Sequence, residues 1–252
     1  MREKLNNKVS IITPVYNSVG TIRDTLTSVA QQTYNNIEHI VIDNESNDGT
    51  EKIVEEYEGV SFLSESDNGI YDGMNKGIKL ASGDIIAILN SDDFYANNKV
   101  IEKVVRTFKE TKADTCYGNL VYVERENTDK IVRHLEAGRY MKNKIEHGWF
   151  PPHPAFFVRS AVYKKYGYYD TKFSMAADFE FMLRTLRVSG VSTTYIPETL
   201  TVMRTGGYSD RGVLGRLVGI SQKSRALIKY DYKFFWNFML NKLSKLKNLT
   251  KI

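Results

Sequence analysis

Asp84-Ile-Ile-Ala-Ile-Leu-Asn-Ser-Asp-Asp93 is the segment on which the fold turns. Its apolar run, residues 85–89, is too short for an ordinary helix and shows no polar alternation. It therefore reads as a strand buried on both faces, the pattern of a parallel sheet covered by helices. It stops abruptly in Asn90-Ser-Asp-Asp93, four polar residues with two adjacent carboxylates. In open α/β sheets, ligands bind at the carboxyl ends of the strands.

Outward from this segment the same unit recurs. Residues 9–13, 37–42 and 60–63 read as strands. Residues 21–32, 50–57, 71–80 and 99–109 carry helical spacing, as in Ile22, Leu26 and Val29. Strands alternating with short helices imply βαβ units and a mostly parallel central sheet flanked by helices. Each strand is followed by a polar loop: Thr13–Asn17, Asp43–Gly49, Ser64–Gly69 and Asn90–Asp93. Four loops at one sheet edge would converge on one crevice.

The second half is less regular. Residues 115–124 and 130–135 read as a hairpin, 148–154 as a Pro/His loop and 155–158 as a strand. Residues 177–188 read as a helix, 192–195 and 199–205 as strands, and 214–230 and 234–249 as helices. No repeat, low-complexity stretch or linker interrupts the chain. The expected organisation is one domain over residues 1–210 and a basic helical appendage over 211–252.

Charge supports that division. The 252 residues carry a net +5, with 42% hydrophobic and 26% charged residues, ordinary values for a folded chain. Residues 1–210 hold 25 Lys and Arg against 29 Asp and Glu, a net −4; residues 211–252 hold 10 against Asp231 alone, a net +9. A basic excess confined to one end is a poor argument for a nucleic-acid binder, and no nucleic-acid motif accompanies it. One cysteine, Cys116, excludes a disulfide framework and a Cys-based zinc site. No leader or membrane-spanning run is evident, so a cytoplasmic location is expected.

Phosphate-loop, dinucleotide, zincin and nucleophile-elbow motifs are absent. Asp43–Gly49 mimics a calcium loop, but its glycine comes one residue late and the closing Glu is missing. The informative candidates are carboxylates. Asp92 and Asp93 would repel unless a hard cation such as Mg²⁺ or Mn²⁺ joined them to substrate phosphates; the competing reading is a solvated turn. Asp43 could accept hydrogen bonds from a base or ribose, or stabilise its own turn. Tyr16 could lie beside a base or belong to the core. Asp178 opens a helix, as a cap or as a general base. His153, in a proline-stiffened loop, is a further metal or phosphate candidate beside its structural reading. Gly206–Ser209 reads as a polar loop that turns the chain or closes over a phosphate.

These pieces together resemble a family 2 glycosyltransferase with the GT-A fold. The resemblance covers about residues 8–210 and is carried by Ser10–Asn17, Ile42–Thr50, Asp67–Gly77, Ala81–Asp84, Asn90–Asp93, His153–Phe157 and Ala177–Glu180, in the family's order. It implies inverting transfer from a nucleotide sugar, UDP by default, to a glycan or lipid-linked acceptor in surface-polysaccharide synthesis. It places Thr13, Pro14, Tyr16 and Asp43 at the nucleoside, Asp92 by the ribose, Asp93 on the metal, and Asp178 as the base. Asn68, Asp72, Asn75 and Lys76 fall in the segment that approaches the donor. The chain departs from the pattern at Met74, where many members carry Arg, and at Asn44-Glu45, to which no role is assigned.

Trp236, Met239, Leu240, Leu243 and Leu246 recur at helical spacing with Lys242, Lys245 and Lys247. Such a helix lies on an anionic membrane surface, here the inner face of the cell membrane, or packs on the body with its lysines solvated. The alternative to an enzyme is a non-catalytic nucleotide-sugar-binding or membrane-scaffold protein on the same fold. It predicts damaged carboxylates, whereas Asp92, Asp93 and Asp178 are intact.

Overall fold

Seven consecutive buried residues make β1 (Val9–Val15) the axis of the sheet. It pairs in parallel with β2 (Ile37–Asp43) and β4 (Ile85–Ile88), and β2 pairs in parallel with β3 (Val60–Ser64). Helices α1 (Ile22–Ala30), α2 (Thr50–Val54) and α3 (Ile70–Leu80) make the crossovers. The computed structural model describes residues 6–207 and 212–249, without the side chains of 212–214, 216, 232 and 243–249.

Helix α4 (Val100–Thr111) shows why these segments are helical: Val100, Ile101, Val104, Val105 and Phe108 form one buried stripe at 3.6-residue spacing. Helix α3 lies so close to the sheet that a Cβ on Gly77 would stand 2.3 Å from Ile12 Cγ2. Any larger residue there would push the helix off β1.

The second half extends the sheet with mixed polarity. β8 (Phe156–Arg159) lies between β4 and β6 (Thr115–Val123), antiparallel to both. β9 (Thr193–Arg204) runs parallel to β6, and the short β5 (Phe94–Tyr95) closes that edge. β7 (Ile131–Leu135) pairs with β6 as the expected hairpin, and the full order is β3-β2-β1-β4-β8-β6-β9-β5. Parallel helix-linked strands thus fill the first half, and antiparallel insertions the second.

Several elements differ from the sequence reading. The two strands expected at 192–195 and 199–205 are one, β9. Its register with β6 slips between Tyr117 and Asn119, opposite Pro197. Proline cannot donate to the ladder, so the sequence suggests a break where the strand passes through an irregularity. The helix expected at 177–188 is α6 (Ala177–Met182) continued by a π-helical segment, Leu183–Val188. The helix expected at 50–57 ends at Val54. β5 and α5 (Ser160–Tyr166) were not anticipated.

The basic end packs on the body. In α7 (Gly212–Tyr230) Ala226 and Leu227 are buried, and in α8 (Tyr232–Leu249) Phe234 and Phe238 are buried, all within the largest core cluster. Another face of α8 is open: Trp236 is 54% and Leu240 62% exposed. The buried side of this helix matches the reading in which it packs on the body. Tyr208 and Ser209, and the side chains of Leu243, Lys245, Leu246 and Lys247, lie outside the described residues.

Candidate active site

Strand register builds the site. Val15 lies beside Asp43, and Asp43 beside Ser64, so the loops after β1, β2 and β3 leave the sheet at one level. With the turn after β4 they wall one side of a cleft of about 1110 Å³, through Pro14, Tyr16, Asn44, Asp67 and Asp92. Trp149, Phe150, His153, Asp178 and Lys223 line the same cleft from the second half. The convergence expected from four polar loops is present.

The carboxylate turn is held from beneath. Thr25 Oγ1 donates to the Asp93 carbonyl at 2.7 Å, and Arg204 Nη1 to the Asp92 carbonyl at 2.9 Å. Arg204 is itself buried and ion-paired with Asp24. The Asp92 side chain faces the cleft and accepts from Arg125 Nη1 at 3.1 Å. Asp93 is fully buried; Asn90 Nδ2 donates to its Oδ2 at 2.9 Å, and its Oδ1 has no partner. Burial, with the charge of Asp92 second, holds the Asp93 carboxyl well above the usual carboxylate range; the Asn90 bond and Arg204 offset this only in part.

This donor set suits a hard cation. Asp93 Oδ1 and Asn90 Oδ1 are both buried and unpartnered, three residues apart in the turn that carries Asp92. Buried polar atoms are normally paired, so two orphans in one turn need a reason. All three side chains offer oxygen, the chemistry of Mg²⁺ and Mn²⁺. Among the described residues no three acidic, His or Cys side chains gather as a complete metal site, so His153 does not join the two carboxylates in one. Substrate phosphates would have to complete the shell.

Asp178 is the second residue of α6, but it is no cap: Ala176 holds the cap position and no side-chain cap bond forms. Its Oδ1 instead accepts from Tyr71 Oη at 3.0 Å. The Tyr71 ring packs on Tyr169, whose hydroxyl lies 2.9 Å from His153 Nε2. Burial lowers the proton affinity of His153, against an opposing pull from Asp178. Helix α7 locks α6 in place. Gln222 Oε1 accepts from the Met175 amide at 2.8 Å, and buried Glu180 gathers Lys229, Tyr230 and Arg184.

The other candidates divide. Pro14 and Tyr16 reach the cleft, Tyr16 with 60% of its surface open, so it is not a core residue. Thr13 is buried with Oγ1 2.9 Å from His39 Nε2. Asp43 is buried, accepting from the Ser46 amide at 2.9 Å, Ser46 Oγ at 2.5 Å and Ser64 Oγ at 2.7 Å, which matches its turn-stabilising reading. Asn68 donates to Asp72 through its amide and side chain. Asn75 clamps the Tyr169 backbone in both directions, at 2.9 and 3.0 Å. Lys76 pairs with Glu65 and donates to the Ser66 carbonyl. These last four shape the loop behind the cleft wall and do not line it.

Comparison with known proteins now bears on this geometry. The family described as Glycosyl transferase family 2 matches residues 10–170. The chain belongs to that family. A glycosyltransferase of Rickettsia typhi is 29% identical over 251 residues, covering 94% of this chain and 73% of its own. A PGL/p-HBAD biosynthesis glycosyltransferase of Mycobacterium bovis is 25% identical, with 74% and 73% covered. Among solved structures, S. aureus TarS in complex with UDP-GlcNAc superposes with a TM-score of 0.70 at 19% identity, over 94% of this chain and 73% of that one. A mannosyltransferase of Pyrobaculum calidifontis in complex with GDP-Man and Mn²⁺ gives 0.67 at 16% identity, over 88% and 64%. These likenesses identify the GT-A fold.

Four residues around the candidate site escaped the sequence reading: Tyr71, Arg125, Arg204 and Lys223. Tyr71 stood inside a quoted motif, so it was visible but without a role. The others sit on a hairpin loop, a late strand and a distant helix. No local pattern marks them; the pairing of β6 and β9 and the packing of α7 bring them to the cleft.

Proposed function

We propose that this glycosyltransferase moves a hexose from a UDP-sugar to a hydroxyl of a glycan or lipid-linked acceptor in cell-surface polysaccharide synthesis, with inversion at the anomeric carbon. The observation that carries the reading is Asp178: an intact carboxylate, oriented by Tyr71, in the same cleft as Asp92. The donor would lie along Pro14 and Tyr16, with Thr13 and Asp43 shaping the loop beneath and Asn68–Lys76 backing the wall. Asp92 and Asp93, with Asn90, would hold Mn²⁺ or Mg²⁺, which when bound neutralises charge developing on the leaving diphosphate. Asp178 takes the proton from the acceptor hydroxyl while the hydroxyl oxygen bonds to the anomeric carbon; the bond to the nucleotide breaks and the nucleotide leaves. The ligands named for TarS and the Pyrobaculum enzyme, UDP-GlcNAc and GDP-Man, support a nucleotide-sugar donor. A thermal-shift screen of UDP-, GDP- and dTDP-sugars with Mn²⁺, followed by hydrolysis assays on the hits, tests it. Stabilisation by UDP-sugars alone is expected, and no response to any nucleotide sugar would sink the reading.

The open face of α8 supports a second element, peripheral contact with the inner face of the cell membrane. No helix of the described residues is long and apolar enough to cross a membrane. Exposed Leu240 and Trp236 beside Lys233 form a surface that anionic lipid would attract, at about 1 kcal/mol per cation near the surface. Deleting the helix would also remove Phe234 and Phe238 from the core, so the informative variant is Trp236→Asp with Leu240→Asp. It is expected to abolish flotation with phosphatidylglycerol vesicles while keeping the melting temperature. Equal flotation would discard the membrane role.

A further inference from the structure

The cleft that holds Asp178 adjoins a pocket of about 470 Å³, with which it shares Gly148, Trp149 and Ile220. Lys144, Lys223 and Lys242 line it with His147, Trp149 and Phe238, and among the described residues no Asp or Glu does. Lys223 and Lys242 line the main cleft as well, so the two spaces share a wall. The lysines come from three separate places: the loop before the 3₁₀ turn Ile145–His147, α7, and α8.

None of the three lysines forms an ion pair among the described residues; each rests on aromatic rings instead. Lys223 Nζ lies 4.6 Å from the Phe150 centroid and 5.6 Å from that of Phe179, Lys144 5.5 Å from Trp149, and Lys242 5.5 Å from Phe238. Burial lowers the proton affinity of Lys223, and the charge of Lys242 lowers it further, while Asp178 opposes both. Other lysines of this chain are ion-paired, as Lys8 with Glu38 and Lys229 with Asp170 and Glu180. Three cations drawn from separate elements to one pocket over aromatic rings, Lys144 and Lys223 part-buried and Lys242 repelling Lys223, form a site for an anion.

We propose that this pocket is an acceptor subsite for a phosphate ester carried by the saccharide that Asp178 deprotonates. Trp149 offers a face for a sugar ring, and the lysines neutralise the phosphate. The pocket falls within the roughly 300–1,000 Å³ of small-molecule sites. The assignment rests on the glycosyltransferase reading, because it takes Asp178 to mark the acceptor side. The phosphate can belong to a soluble glycan chain or to a lipid carrier at the membrane; the recognition chemistry is the same.

The test is isothermal titration of the full chain with glycerol 3-phosphate, with UDP and Mn²⁺ already saturating so that the donor side is occupied. Saturable binding is expected, weakened about tenfold or more in Lys223→Gln and in Lys242→Gln, and unchanged in the distant control Lys52→Gln. A tenfold loss corresponds to about 1.4 kcal/mol. Lys242 is exposed on its helix, so its variant keeps the test valid should Lys223→Gln fold poorly. Competition by phosphatidylglycerol vesicles would assign the phosphate to a lipid carrier, and its absence to a soluble glycan. Binding that never saturates, or that both lysine variants retain, overturns the subsite. Wild-type protein that fails to bind UDP would count against the donor reading instead, and titration without UDP would still report on the pocket.

Discussion

Asp178→Asn is expected to lower transfer by about 10²- to 10⁴-fold while leaving the affinity for the donor nucleotide unchanged. The amide keeps the size of the carboxylate and can still accept from Tyr71 Oη, so the α6 backbone and the cleft should be preserved. It cannot take a proton from the acceptor hydroxyl. Removing the partner instead, Tyr71→Phe, leaves the base in place but unrestrained; a fall in kcat of about fivefold with donor affinity unchanged matches the loss of one hydrogen bond of about 1 kcal/mol. Steady-state transfer and nucleotide titration on both variants check this. Full turnover in Asp178→Asn would remove the residue from the chemistry.

Asp93→Asn should erase the metal dependence of donor binding. The ratio of nucleotide affinities with and without Mn²⁺ should fall to about one, and turnover by ~10³-fold, given several kcal/mol of charge stabilisation from a metal at the leaving group. Stability without metal should move the other way. The folded protein holds the Asp93 carboxyl above its ordinary 3.8, so the folded state binds that proton more tightly than the unfolded one. Wild-type stability therefore falls as pH rises from about 3.8 through the folded value, and the neutral Asn variant escapes that loss. Thermal melts in EDTA at neutral pH should show Asp93→Asn at least as stable as wild type. A metal-dependence ratio unaltered by the substitution would refute the assignment.

The parallel half of the fold was legible because each segment states its own environment. Buried strands are mostly apolar and amphipathic helices repeat at 3.6 residues, so β1, β2, β4 and α1–α4 can be read from short windows, and β3 from its short run Val60–Leu63. The second half resisted for the same reason in reverse. β9 passes through Pro197 without ending, and β5 has two residues, because pairing with β6 and β9 supplies what local sequence does not. The candidate site shows the same split. Asp92, Asp93, Asp178, Pro14 and Tyr16 could be named from loops at strand ends and from the family's motif order. That Asp43 is bound by Ser46 and Ser64, and that Asn75 clamps Tyr169, could not.

The net −4 body and +9 end are properties of the chain alone, as are the intact carboxylates and the order of the motifs that place it among the family 2 glycosyltransferases. Where those charges act is a tertiary matter. Burial leaves one oxygen of Asp93 without a partner, whereas half-buried Asp92 faces the cleft, although the two are adjacent in sequence. Packing of Ala226, Leu227, Phe234 and Phe238 draws the basic end onto the body and sets Lys223 and Lys242 on the wall of the cleft that holds Asp178. Electrostatic strength depends on desolvation and distance, and both are created only when segments far apart in the chain meet.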